Sequence, residues 1–215
     1  MLTKFICLAN SYKEGGRCVA GIELDADNKP VMLNGAAKWI RPVCNHTPHG
    51  EIPGKLVESF QLLDIIELEV TAGQPQGYQS ENFIFNEKSI KKIGSFNREG
   101  LPGLCDSRNF IFNNKGNAVA KENIGLLSHS LVIVPTAEAE VVQRTFDDHP
   151  GKLQTRLIFT YNNNKYDFPI TDPVFLFRCK YKPDLLKNIN PVYLCLSLGI
   201  EWKNWYYKLV AGIIY

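Results

Sequence analysis

The chain lacks most of the features that identify an enzyme or a membrane protein at first sight. None of its six cysteines (Cys7, Cys18, Cys44, Cys105, Cys179, Cys195) belongs to a C-x-x-C pair, which removes the usual zinc-ribbon and redox spacings. A Walker loop and a dinucleotide fingerprint are both missing, as is a G-x-S-x-G elbow; no cofactor and no catalytic residue is therefore expected. Charge of one sign is also lacking. With 24 Lys and Arg against 22 Asp and Glu, the net charge is only +2, so any nucleic-acid contact must be a local patch rather than a basic sheath. Residues 1–100 hold 11 basic and 12 acidic side chains, leaving the second half mildly basic. No uncharged apolar run reaches the length of a membrane span. The N-terminus shows no apolar core followed by a small-residue cleavage site. Together with cysteines placed inside apolar runs, these absences lead us to expect free thiols in a cytoplasmic protein with no membrane partner.

Long helical periodicity is scarce as well. What is present is alternation, with β-branched and aromatic residues between well-marked turns. Strands are expected at 4–9, 17–24, 30–33, 37–43, 63–70 and 81–86, then at 109–113, 130–135, 138–144, 153–161, 165–170, 174–179, 192–198 and 205–214. Short helical pieces are expected at Lys88–Ile93, Ala118–Leu127 and Asp184–Lys187. Many short strands with frequent turns predict an all-β fold with minor helix, built as two small barrels in tandem. The polar, turn-rich segment 97–103 sets the boundary, giving domains at 1–95 and 96–215.

The most informative segment runs from Phe5 to Leu24, two apolar stretches joined by a polar knot. Asn10, Ser11, Lys13 and Arg17, with the amides of Gly15 and Gly16, form either an anion cradle or a self-satisfied hairpin tip. Strand alternation sets Trp39 and Arg41 on one face. A ring beside a guanidinium suits a planar anionic ligand; equally, Trp39 can cap a barrel with Arg41 paired to a carboxylate. Thr171 and Asp172 precede Pro173 in a turn that their own side chains can cap. Lys208 lies among Trp202, Trp205, Tyr206 and Tyr207, which reads either as a stacking surface or as barrel closure. The loop Cys44-Asn-His46-Thr-Pro-His49, with Glu51 beyond it, holds soft metal donors without a second ligand pair, so no metal site is expected there. Asp147, Asp148 and His149 could serve metal-dependent phosphoryl chemistry, or simply be solvated before Pro150.

Seven short runs, in order along nearly the whole chain, carry a family resemblance: Cys7-Leu-Ala-Asn-Ser, Gly16-Arg-Cys-Val-Ala-Gly21, Trp39-Ile-Arg-Pro-Val43, Leu62-Leu-Asp-Ile65, Thr171-Asp-Pro173, Tyr193-Leu-Cys-Leu-Ser-Leu-Gly199 and Lys208-Leu-Val-Ala211. In these the chain resembles the bacterial dual OB domain family. The resemblance implies two OB-type barrels and a non-catalytic role in binding single-stranded nucleic acid or a nucleotide, in defence against phage or mobile elements. The His-rich 44–51 loop departs from that pattern, and cations are few at some barrel-face positions. Two other readings stand beside this one: a metal-dependent nuclease or phosphohydrolase, and an adaptor that holds only a protein partner.

Overall fold

The computed structural model describes residues 1–146 and 149–215. The first half contributes β1 (Leu2–Lys13), β2 (Gly16–Leu24), the two-residue strands β3 (Met32–Leu33) and β4 (Ala36–Ala37), β5 (Trp39–Val43), α1 (Gly54–Val57), β6 (Asp64–Gly73), β7 (Asn82–Phe85) and β8 (Lys91–Ser95). Pairing runs β1-β2-β5-β7-β6 and returns to β1, so five strands close on themselves, with β5 parallel to β7 and β8 added outside β6. Closure removes the sheet edges. The interior is filled by Phe5, Cys7, Val19, Ile40, Ile66, Leu68 and Phe85.

The second half contributes β9 (Ala118–Ala120), β10 (Leu131–Thr136), β11 (Ala139–Phe146), β12 (His149–Tyr161), β13 (Asn164–Pro169), α2 (Pro173–Tyr181), β14 (Val192–Trp202) and β15 (Trp205–Ile214). β10 and β11 act as one bent strand, pairing with β14 through the first part and with β12 through the second. β13 meets β15 in a single parallel bridge, Ile170 to Val210. The order β11-β12-β13-β15-β14-β10, with a helix between its third and fourth strands, repeats the topology of the first half. The fold is thus predominantly β: a closed five-stranded barrel beside a more open one, as two OB-like barrels require.

The barrels share a core. β1 is apolar on both faces, as a doubly covered strand must be: Phe5 and Cys7 fill the first barrel, while Ile6 and Leu8 face outward onto Leu131, Ile133, Tyr193, Cys195 and Ala211 of the second. Leu101 and Leu104, from the 3-10 helix Arg98–Leu104, complete this layer. Gly212 lets the two backbones touch, since a Cβ there would lie 2.1 Å from the Leu8 carbonyl oxygen. Tyr12 N–H donates across the interface to Thr171 O at 2.8 Å.

Several local expectations need correction. Lys88–Ile93 is a turn leading into β8, not helix. Ala118–Leu127 divides into β9 and a 3-10 helix over Lys121–Leu126, and 183–188 is turn. The 109–113 strand is a 3-10 turn at Ile111–Asn113. The 174–179 strand is α2: Asp172 accepts from Val174 N–H and Phe175 N–H, both at 3.0 Å, and Pro173 occupies the first turn, where its missing N–H costs nothing. All six cysteines are free.

Candidate nucleic-acid interface

OB barrels use the face of their second and third strands together with the loops between strands one and two and between strands four and five. Here the first of those loops in barrel one (the tip between β1 and β2) lies against the last hairpin of barrel two (β14–β15). Between them is a cleft of about 250 Å³, walled by Ser11, Lys13 and Arg41 on one side and by Ser197, Gly199 and Tyr207 on the other. A register shift between Cys7 and Ala9 inserts Leu8 as a bulge. Beyond it Ala9, Ser11 and Lys13 alternate onto the face turned to the second barrel.

Several basic side chains in barrel one are paired with carboxylates. Lys38 meets Glu23 at 2.7 Å, Lys91 meets Glu67 at 2.9 Å and Lys92 meets Asp64 at 2.6 Å. Lys13 and Arg17 differ: among the described residues neither has a carboxylate within ion-pair distance. Burial lowers the Lys13 pKa below its ordinary value, and the nearby Arg41 charge adds to that effect. Arg17 lies 4.6 Å over the exposed Tyr12 ring and keeps one buried Nη1 with no hydrogen-bond partner. Such an orphan donor is costly unless a ligand supplies the acceptor.

The β14–β15 hairpin turns at Lys203 and Asn204, whose φ values of 50° and 68° are those of a tight two-residue loop. It presents Trp202, Trp205 and Tyr207, each more than a third exposed. Lys203 sits 4.3 Å over Trp202, and the Trp202 and Tyr207 rings are 6.0 Å apart. Aromatic surface therefore runs from Tyr12, across the cleft, to Tyr207 and Trp202. The three-ring hairpin contribution was legible in the sequence only as an undecided aromatic cluster.

The other residues read from sequence are distributed elsewhere. Arg41 is buried: its Nε donates to Asn82 Oδ1 at 2.6 Å and its Nη2 lies 3.3 Å from Glu81 Oε1. Glu81 in turn accepts from the Ser130 hydroxyl of barrel two. The carboxylate-paired alternative is the one this geometry matches; Arg41 borders the cleft, and its buried Nη2 has the ion pair with Glu81 but no hydrogen bond. Trp39 is half-buried against the inter-barrel core, away from the cleft walls. Asn10 donates to Val57 O at 2.8 Å and Phe60 O at 3.1 Å. With Asp172 it lines a separate cavity of about 330 Å³. Thr171 hydroxyl donates to Val210 O at 3.2 Å.

Lys208 is fully buried inside barrel two. It donates to Ile111 O at 2.7 Å, Asn114 O at 2.8 Å and Asn114 Oδ1 at 2.9 Å, between the rings of Tyr166 and Phe168. Alternation explains why: Tyr207 and Leu209 face the cleft, so Lys208 must face inward. Burial lowers its pKa to about 7.

Among the described residues His129 forms no nucleophilic pair. His129 is held by burial, and by the Arg108 charge, at a pKa of about 4 with no partner for its Nε2. Of the Asp147, Asp148 and His149 group, both aspartates lie outside the described residues, and His149 is the first residue of β12. No helix among the described residues is long and apolar enough to cross a membrane.

Comparison with curated proteins yields no match. A sequence model of the Dual OB-containing domain matches residues 3–213. Two barrels of OB topology under one continuous match of that extent place the chain in the family of Dual OB-containing domains.

Proposed function

We propose that the chain binds single-stranded nucleic acid across the cleft between its barrels, without catalysis. The observation that carries this reading is the pairing of carboxylate-free cations, Lys13 and Arg17, with exposed rings at the meeting point of two barrel loops. Bases stack on Tyr12, Tyr207 and Trp202, and phosphates are held by Lys13, Arg17 and Lys203, with Ser11 offering a hydroxyl. Stacking of this kind tolerates any sequence, because every base has a π-face. A sequence-tolerant binder accords with a role against foreign nucleic acid. Arg41 supports the cleft floor from its buried pair.

The test is fluorescence anisotropy with labelled oligo-dT and oligo-U at several salt concentrations. Three phosphate contacts predict a log–log salt slope of about −2. Lys13→Ala and Arg17→Ala should each weaken binding by roughly 1.5 kcal/mol, the value of a charged hydrogen bond, with the fold retained. Tight binding of a mononucleotide with a flat salt response would replace the polynucleotide reading by a nucleotide sensor. Absence of any oligonucleotide binding, or indifference to both substitutions, would sink the assignment.

A further inference from the structure

The loop after β5 carries Cys44 and His46, and the sequence pattern offered His49 and Glu51 as the donors nearest to them. The fold selects a different third donor. β5 and β7 are parallel neighbours, with Val43 opposite Ile84, so both strands release their following segments at the same end of the barrel. Cys44 is the first residue past β5, and Glu87 stands just past β7. A sulfur from Cys44, a ring nitrogen from His46 and a carboxylate oxygen from Glu87 consequently lie within 4.8 Å of one another. His46 Nδ1 is 3.2 Å from Glu87 Oε1. Glu51 is engaged elsewhere, accepting from the His49 backbone N–H at 2.9 Å.

We propose that Cys44, His46 and Glu87 form a binding site for a zinc-type divalent cation. Zinc bonds of about 2.0–2.3 Å need these three atoms only slightly closer together than they stand, and all three donors lie outside the strands. The donor chemistry decides the class. Thiolate and imidazole favour borderline and soft cations, whereas magnesium and calcium seek oxygen alone. Three protein ligands leave a fourth position for water or an added ligand. Cys44 also borders a pocket of about 280 Å³ whose walls include Gln79 and Ile200, residues that line the inter-barrel cleft too. The metal would therefore sit near one end of that cleft, although the proposal does not depend on what the cleft binds.

The experiment uses the full chain stripped of metal and titrated with Zn²⁺ by calorimetry, and with Co²⁺ by absorption. One equivalent should bind, and the cobalt form should show a sulfur-to-metal charge-transfer band that Cys44→Ser abolishes. His46→Ala and Glu87→Gln should each lower Zn²⁺ affinity by about 100-fold or more, since even outer-shell changes cost 10- to 100-fold. His49→Ala should leave affinity unchanged. If Cys44→Ser does not fold, the two loop variants and the cobalt band of the unaltered chain decide the matter. Failure to bind one equivalent, a cobalt spectrum without thiolate ligation, or unchanged affinity in both His46→Ala and Glu87→Gln would overturn the site.

Discussion

Each barrel holds a buried cation on the pair formed by its third and fifth strands, Arg41 in one and Lys208 in the other, and the two are accommodated by different chemistry. In barrel one Arg41 on β5 faces Asn82 on β7 and is neutralised by Glu81. In barrel two Lys208 on β15 lies beside the rings of β13 and meets carbonyl groups, with no carboxylate among its hydrogen-bond partners. Arginine keeps its charge at any ordinary pH, so its burial demands a counter-charge. A lysine ammonium has three donors, which three neutral acceptors can satisfy, and burial eases loss of its proton as it cannot for arginine. The equivalent pair of strands thus carries an inter-barrel tie on its third strand in one half and an internal plug on its fifth strand in the other. With both of these cations committed inside the fold, the loop cations Lys13 and Arg17 of barrel one and Lys203 of barrel two are the ones placed toward a ligand.

The comparison can be broken most severely at the contact between the barrels. Gly212→Ala forces a Cβ against the Leu8 backbone oxygen, where no side-chain motion can relieve it. A loss of about 4 kcal/mol in urea unfolding is expected, at the exceptional end for one substitution. Gly125→Ala, whose Cβ would enter open space, is the control and should change stability little. A Gly212→Ala protein as stable as this control would show that the barrels do not depend on their shared layer. Next in size is the tie itself. Glu81→Gln leaves Arg41 charged and buried without a counter-ion, and should cost about 3 kcal/mol. Replacing Arg41 and Glu81 together by Leu should recover much of that loss, which would separate the cost of an orphaned charge from the worth of the pair. If the double variant is no better than Glu81→Gln, the pair is stabilising in its own right.

The strands were largely legible because period-two alternation survives wherever one face is buried; β15 occupies the same 205–214 span that the pattern gives. The helix α2 was not, although its cap was in view. Asp172 and Pro173 form a helix-start signal, but Val174-Phe-Leu-Phe177 reads as a strand because packing, not propensity, holds this segment in the helical state. Candidate site residues divided along the same line. Lys13 and Arg17 stood out because a glycine-rich tip must be at a surface. The fate of Arg41 hinged on Glu81, and that of Cys44 and His46 on Glu87. Both partners arrive through the parallel β5–β7 register, which no local pattern encodes. Lys208 is one residue from an outward-facing Tyr207, so only knowing which face of β15 is inside assigns it.

A third test uses pH. Burial gives Lys208 a folded pKa of about 7, well below the ordinary 10.5 of an unfolded lysine. Above the lower value the unfolded chain holds the proton and the folded chain does not, so stability rises as pH climbs from about 7 toward 10.5. The rise should be read below about pH 8.5, because buried thiols act oppositely once unfolded cysteines ionise; burial raises Cys105 and Cys179 to about 11. Urea midpoints at pH 6.5, 7.5 and 8.5 should increase in the unaltered chain, and Lys208→Met should flatten that trend. An equal slope in both proteins would mean that Lys208 stays protonated through its three acceptors, and the contrast with Arg41 would shrink to one of geometry.

The smallest expected effect sharpens the other side of the comparison, the surface that neither buried cation reaches. Trp202 is about half exposed and forms no part of either barrel's interior. Its ring contacts Tyr207 and carries Lys203 over one face. Removing it costs the fold little, because exposed apolar surface is not stabilising folded-state burial. If bases stack along this hairpin, Trp202→Ala should weaken oligonucleotide binding by about 1 kcal/mol, the low end for one base–ring contact, since Tyr207 remains to take part of the stack. The salt slope should stay as it was, for no cation has been removed. Lys203→Ala gives the complementary signature, a shallower slope with stacking intact. A Trp202→Ala protein that loses stability but binds as before would place the ring in the fold, and the ligand path would then end at Tyr12 and the cleft.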